Sequence, residues 1–383
     1  MLNRRLLRLA LPVTLGALAL TACGSGGDSG SSGGSGKPTY KIAFQGPISG
    51  DNAAIGENEG NGVQLAIDLA NKKGDLPFTL AYSGQDDVGT PEGGPPAARK
   101  SIDDEKVMAV VGPAFSGATK SSAKLFAAAS LAAVSPSATN PDLTSKANGF
   151  TSFFRVVPPD NAQGEEAANY IAKVLKAKTV YSLNDKSEYG VGLSDVFDKT
   201  LAAQGVKVIK EGVPKTKDYS TVAQKINNKK ADAVWYSGYF PELALLAKSL
   251  KSVGYAKPLL SGDGSNDDQY IVSATPEIAE GTYLFCPCGD ANVDPKAKTF
   301  ADAYKAKFNK PAGTYSPESF DATNAIIEAM RSVGGKTLTR EKVLEAVRKV
   351  DYTGITKQVS FTENGEVEGK TIFVFQVKGG KRD

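Results

Sequence analysis

Short apolar runs rich in β-branched and aromatic residues alternate with helix-length stretches along most of the chain, and this alternation limits the fold more than any other feature. The runs 40–44, 107–112 and 131–135 read as strands, and the stretches 62–71, 97–104 and 117–129 read as helices. Strands alternating with helices of that length imply parallel βαβ units, because a parallel strand needs a crossover long enough to hold a helix. After Phe153-Phe154-Arg155-Val156-Val157, the segment Pro158-Pro159-Asp160 breaks the series. A second series then begins, with helices at 162–176, 193–204, 221–228 and 242–253 and strands at 179–183, 206–211 and 233–237. About 350 residues follow Lys37, more than one ordinary core holds. The expected fold class is therefore α/β, with two doubly wound (Rossmann-like) lobes.

The first residues have a different purpose. Arg4, Arg5 and Arg8 precede an apolar run, 9–20, that ends in Leu20-Thr21-Ala22-Cys23. The run is too short for a membrane span and has the flanks of an export signal. Leu-Thr-Ala-Cys resembles the bacterial lipobox, which implies cleavage after residue 22 and lipidation of Cys23. Acyl chains contribute about 0.8 kcal/mol per buried CH₂, so several of them anchor a chain without a spanning helix. Residues 24–36 are only Gly, Ser and one Asp, a composition that stays flexible and gives a tether with a reach of about 20 Å.

Charge and composition exclude several classes. The chain counts 45 Lys and Arg against 42 Asp and Glu, and loss of the three signal arginines makes the two signs equal, so no nucleic-acid partner is expected. There is no His, which removes His-dependent nucleophilic catalysis and His-liganded metals. No phosphate-binding Gly-x-x-x-x-Gly-Lys-Ser/Thr loop occurs, and Gly190-Val191-Gly192 lacks the third glycine of a dinucleotide fingerprint. Asp263, Ser265 and Asp267 echo a calcium loop, but Asp268 and Ala274 stand where Gly and Glu are needed. No catalytic residue, cofactor or metal is expected. Cys286 and Cys288 flank Pro287, and both a local disulfide and a pair of free thiols remain open.

In open parallel sheets, ligands bind beyond the carboxyl ends of the strands. The loops there carry Ser116, Ser135-Pro136-Ser137-Ala138-Thr139, the segment 185–189, the segment 236–239, and Gly262-Asp263-Gly264. Ser116 stands where an N-cap would precede the helix 117–129, so a hydroxyl and free amides could meet a carboxylate. Ser137 and Thr139 add hydroxyls. Asp263 could accept a charge-assisted bond from an ammonium group, and Tyr189 and Tyr239 supply flat walls. Taken singly, Ser116 reads as a helix cap and Thr139 and Asp263 as turn residues; their common location at strand ends favours a cleft for a zwitterion.

Nearly the whole mature chain resembles the type I periplasmic binding proteins of the branched-chain amino acid (Leu/Ile/Val) ABC transporter family. The resemblance rests on Ile42-Ala43, Gly46-Pro47-Ile48-Ser49-Gly50, Gln85-Asp86-Asp87, Val110-Val111-Gly112, Ser135 through Thr139, Asn184-Asp185-Lys186, Tyr189-Gly190, 236–241 and Gly262-Asp263-Gly264. It implies that Ser116 holds the ligand carboxylate, that Ser137 and Thr139 hold carboxylate and ammonium through backbone and hydroxyl, with Ala138 between them among the ligand-binding residues, and that Asp263 replaces a glutamate for the ammonium. It places Tyr189 and Tyr239 in the cleft, Ile55 where the leucine binders have tyrosine, and Phe115 where they have a cysteine paired to one near Val88. It further implies three crossings between lobes, expected near Pro158, near Cys286-Pro287-Cys288 and at 351–354. The expected parts are a signal peptide, 1–22, a tether, 23–38, a first lobe of 39–157 with 288–350, and a second of 158–287 with 351–383. The expected function is capture of an amino acid outside the cytoplasm, by a lipid-anchored monomer that delivers it to an ABC transporter permease. A ligand-sensing receptor, and a relative that binds amides, urea or aromatic acids, are the alternatives.

Overall fold

The computed structural model describes residues 36–383. The signal segment, Cys23 and nearly all of the tether lie outside the described residues. Residues Lys37–Asp383 form one compact unit of two lobes, each an α/β layer structure. No described helix is long and apolar enough to cross a membrane.

The first lobe begins with β1 (Thr39–Gly46), α1 (Ala53–Lys73), β2 (Thr79–Asp86), α2 (Gly94–Asp103) and β3 (Val107–Val111). It continues with α3 (Ser116–Ala128), β4 (Ala132–Ser135) and β5 (Phe153–Arg155). The five strands are parallel in the order β2-β1-β3-β4-β5. Every residue of β3 and β4 is buried, as expected of central parallel strands covered by helices on both faces.

The second lobe carries α4 (Asp160–Asn169), β6 (Thr179–Asn184), α5 (Glu188–Ala203), β7 (Lys207–Gly212), α6 (Ser220–Lys229) and β8 (Ala233–Ser237). Then come α7 (Phe240–Ser252), β9 (Leu259–Ser261), α8 (Asp268–Ala274), α9 (Pro276–Ala279) and β10 (Tyr283–Cys286). The helix expected over 162–176 is α only to Asn169 and closes with a π-helical turn, Tyr170–Val174. Trp235 of β8 is fully buried and stacks on Phe197 of α5, with ring centroids 4.5 Å apart.

Beyond β10 the chain returns to the first lobe as α10 (Lys298–Phe308), α11 (Ser316–Val333), α12 (Arg340–Val347) and the hairpin of β11 (Asp351–Thr353) and β12 (Gln358–Ser360). Ile326 and Met330 of α11 pack with Ile42, Phe44 and Val111 of the first sheet. It ends in the second sheet as β13 (Phe373–Lys378), antiparallel to β10, and β14 (Lys381–Arg382).

The third crossing therefore falls later than the expected 351–354. Val350 and Val359 are buried in the first-lobe core, and Asp321 of α11 accepts from the Ile355 and Thr356 amides at 2.9 and 2.8 Å. Glu366 bridges to Arg155 of β5, so the chain leaves the first lobe only between Val367 and Phe373. Burial of Val359 and two carboxylate-bound amides outweigh the exposure of the rest of this short hairpin. At the second crossing, Cys286 and Cys288 form a disulfide.

Arg155 is fully buried at the end of β5. Its Nε donates to Glu366 Oε2 at 2.9 Å, and its Nη1 donates to the carbonyls of Ala138 and Asn140 at 3.1 and 2.8 Å. A buried guanidinium left without its carboxylate is expensive. Glu366→Ala is expected to cost about 3 kcal/mol of stability by urea denaturation. Retention of wild-type stability would show that Arg155 does not depend on this partner.

Candidate functional site

The C-terminal ends of the parallel strands in the two lobes face each other, and the loops that follow them meet. On the first-lobe side, Gly112 leaves β3 at φ +113°, and a Cβ there would lie 2.3 Å from the Gln45 carbonyl oxygen. Only glycine fits, and the turn it makes carries Ala114, Phe115 and Ser116 into the space between lobes. Phe115, in extended conformation, occupies the N-cap position, and Ser116 is the first residue of α3. Ser116 therefore does not cap the helix as expected. Its Oγ instead accepts from the Asn140 amide at 3.2 Å, while the first-turn amides of α3 have no acceptor within the helix. Ser137 Oγ donates to the Ala114 carbonyl at 2.8 Å, which ties the loop after β4 to the loop after β3.

On the second-lobe side, Asp263 follows β9 and is buried. Its Oδ1 accepts from Gln163 Nε2 of α4 and from Tyr189 OH of α5, both at 2.7 Å. Its Oδ2 accepts from Tyr315 OH at 2.5 Å. Tyr315 precedes α11 and so reaches Asp263 from the first lobe. All three donors are neutral. Burial raises the Asp263 carboxyl above the ordinary carboxylate range, and the hydrogen bonds oppose that rise. Gly264 supplies close backbone approach, since a Cβ there would meet Tyr189 at 2.8 Å and the Gly238 carbonyl oxygen at 2.9 Å.

Between these groups lies a small cavity of about 10 Å³, lined among others by Ile55, Phe115, Ser116, Ser137, Tyr239 and Asp263. Phe115 stacks on Tyr239 across the lobes with centroids 4.4 Å apart, and Tyr189 tilts against Tyr239 at 5.3 Å. Seven of the nine ligand residues expected from the sequence, Ile55, Phe115, Ser116, Ser137, Tyr189, Tyr239 and Asp263, line this cavity. Ala138 and Thr139 do not. They are buried behind it, where the Ala138 carbonyl is engaged by Arg155 and the Thr139 carbonyl accepts from the Asp160 amide at 2.9 Å.

Three polar residues of the site were not singled out from the sequence. Tyr315 and Gln163 bind Asp263 directly. Asp160, fully buried at the first crossing, shares the Gln163 amide at 3.0 Å, but its Oδ2 has no hydrogen-bond partner among the described residues. Burial, and next the nearby Asp263 charge, hold the Asp160 carboxyl well above its ordinary value, and the Thr139 hydroxyl tempers this. The break at Pro158-Pro159 marks the position of Asp160, but nothing local marks its role.

Two α/β lobes that enclose a mainly apolar and aromatic cavity with a few convergent polar groups at their strand ends define a two-lobed solute-binding architecture. The family described as periplasmic binding protein matches residues 39–382, and the chain belongs to that family. It is accordingly a solute-binding protein and not an enzyme. The Leu/Ile/Val-binding protein BraC3 of Rhizobium johnstonii is 34% identical over 345 residues, covering 89% of this chain and 92% of its own. The leucine-, isoleucine-, valine-, threonine- and alanine-binding protein of Pseudomonas aeruginosa is 30% identical over 341 residues, covering 88% of this chain and 90% of its own. Among solved structures, the branched-chain amino acid transporter substrate binding protein LivJ of Streptococcus pneumoniae, in complex with isoleucine, aligns with a TM-score of 0.81 at 29% identity, covering 90% of this chain and 98% of its own. The leucine binding protein LivK of Thermotoga maritima gives a TM-score of 0.81 at 28% identity, covering 90% and 97%.

A carboxyl raised on folding favours the fold below its ordinary value of 3.8 and opposes it as pH rises through the folded value. Asp160→Asn keeps an oxygen for Gln163 and removes that opposition. The variant is expected to be more stable than the wild type at neutral pH, with the difference shrinking as pH falls toward 3.8, measured by denaturation across that range. A constant difference would mean that Asp160 does not titrate on folding.

Proposed function

We propose that this chain captures an α-amino acid with a branched-chain or other small apolar side chain and delivers it to the permease of an ABC transporter. The observation that carries this reading is the buried Asp263 carboxylate, whose side-chain donors among the described residues are all neutral and which lines the same cavity as the start of α3. A ligand ammonium gives Asp263 the charged partner it otherwise lacks, and a ligand carboxylate meets the Ser116 hydroxyl and the amides of the first turn of α3. Ser137 is placed to join them, with Ala138 and Thr139 shaping the wall from behind. Ile55, Phe115 and Tyr239 bound the side-chain space with apolar and aromatic surface. The likeness to relatives named for leucine, isoleucine and valine supports this class of ligand.

Capture proceeds by closure. A ligand that binds one lobe of an open form gains the contacts of the second only when the lobes meet, so its differential affinity shifts the population toward the closed form. The closed form then presents both lobes to the permease. Family membership implies a location outside the cytoplasm. We propose further that Cys23 carries the lipid anchor, that residues 24–36 are the tether, and that the protein acts as a monomer.

The test is a thermal-shift screen of the full chain against single amino acids, amides, urea and aromatic acids. An amino acid at a hundred times its dissociation constant should stabilise the fold by about 2.7 kcal/mol. Asp263→Ala should abolish that shift. A shift produced by an uncharged amide or aromatic acid alone would overturn the ammonium role of Asp263.

A further inference from the structure

The strands of the second lobe start at an edge remote from the cleft, and the charge gathered there is almost all of one sign. Backbone pairing brings the starts of three strands together: the Lys207 amide of β7 donates to the Lys178 carbonyl beside β6 at 2.9 Å, and the Asp232 amide beside β8 donates to the Thr179 carbonyl at 2.7 Å. The helices on both faces of the sheet end at this edge too. The π-helical turn after α4 brings Lys173 and Lys176 on the face of Val180 and Trp235, and α6 brings Lys229 and Lys230 on the face of Tyr181 and Val234. Lys173, Lys176, Lys178, Lys207, Lys229 and Lys230 are all exposed, and none pairs with a carboxylate among the described residues, whereas Lys210 and Lys225 of the same lobe pair with Asp198 and Glu211.

Lysines at helix C-termini complement the helix dipole, so their presence alone is ordinary. The unusual feature is what does not accompany them. At the corresponding edge of the first lobe, Asp75 pairs with Lys73 and Arg331, Asp104 pairs with Lys41, and Asp103 and Glu105 stand alongside. At the second-lobe edge the carboxylate between the strand starts is Asp232, and its Oδ2 accepts from the amides of Lys178 and Thr179, both at 2.9 Å. Only farther along the sheet, where Glu277 and Glu280 line a groove with Lys251 and Lys257, does the edge become balanced again. The six lysines extend over a sheet and a helix layer on each side of it, about 20 Å in all. A small anion meets one or two of them and is screened by salt, but a chain of linked charges meets many at once and releases their counterions. With no arginine in the set there is no planar fork to select one group, and lysine ammoniums act on phosphate as point charges.

We propose that this edge is a docking surface for a linear, flexible polyanion outside the cytoplasm whose charged groups are phosphates, and that it works independently of the cleft. The placement of the tether favours a polymer over the anchoring membrane. Lys37, where the tether joins, donates to the Gly74 carbonyl at 2.9 Å and so lies at the far edge of the first lobe. The strands Thr39–Gly46 and Thr179–Asn184 alone separate that edge from the basic one by about 45 Å, more than the tether's reach of about 20 Å. A chain anchored through Cys23 therefore turns the basic edge outward.

The experiment is calorimetric titration of the full chain with long-chain inorganic polyphosphate. Saturable binding is expected, and if about four phosphates are engaged the affinity should fall about fiftyfold between about 50 and 200 mM NaCl. Lys176→Gln, Lys207→Gln, Lys229→Gln and Lys230→Gln combined should weaken binding at least about tenfold at the lower salt and leave the melting temperature unchanged. Lys100→Gln, Lys106→Gln, Lys342→Gln and Lys349→Gln combined remove the same charge from exposed positions of the first lobe, and should leave binding as it was. Absence of binding, or equal weakening in the two quadruple variants, overturns the proposal. So does retention on phosphatidylglycerol vesicles that the second-lobe variant loses when polyphosphate does not bind, since the edge would then belong to a lipid surface. Asp263→Ala should bind polyphosphate like the wild type, so failure of every amino acid to bind the cleft would sink the transport reading and leave this one standing.

Discussion

The arrangement of the cleft depends on how one carboxylate is kept in a dry interior without a cation. Asp263 has lost its water and holds three neutral hydrogen bonds in exchange, from Gln163, Tyr189 and Tyr315. Each donor comes from a different helix start or helix, and one of them belongs to the opposite lobe. The closed geometry is therefore encoded in the satisfaction of a single side chain: if the lobes part, Tyr315 leaves and Oδ2 of Asp263 is released to solvent or to a ligand. Neutral donors temper the charge without cancelling it, which leaves a favourable place for one more positive group.

The wall opposite Asp263 is held just as indirectly. The loop after β4 owes its shape to Arg155, whose guanidinium fixes the Ala138 and Asn140 carbonyls, and Arg155 owes its own burial to Glu366. Glu366 belongs to the last segment of chain before the third crossing. A residue near the C-terminus thus sets the conformation of a loop more than two hundred positions earlier, through one buried ion pair. Asn140 then passes the constraint to Ser116 by its amide and to the Glu188 carbonyl of the second lobe by its side chain at 2.6 Å.

What was legible in the sequence follows from the range of the forces involved. Strand-and-helix alternation is local, so β1, β3, β4 and the run β6 to β8 stand where the apolar pattern puts them, with ends differing by a few residues. The rule that ligands gather at strand ends needs only that alternation, and it brought Ser116, Ser137, Tyr189, Tyr239 and Asp263 into view together. Tyr315 and Gln163 were beyond such reasoning because they meet Asp263 across 52 and 100 positions, and neither sits in a loop after a strand. The third crossing was misplaced for a similar reason. The hairpin β11–β12 is short and mostly exposed, and the residue that assigns it to the first lobe is Val359, one buried side chain in a polar stretch. The state of Cys286 and Cys288 depends on backbone geometry that their spacing alone leaves open.

The path of the chain has a consequence for how such a protein can be divided. Ile326 and Met330 cover the first sheet, although they follow every parallel strand of the second, and β13 completes the second sheet after the first lobe is finished. A chain emerging from its N-terminus must leave the apolar face of Ile42, Phe44 and Val111 uncovered until almost all of it has been made. Neither lobe corresponds to a contiguous stretch of gene. An ancestor could not have acquired one lobe from another protein by a single exchange, and an engineer who wishes to swap a lobe must cut at all three crossings together.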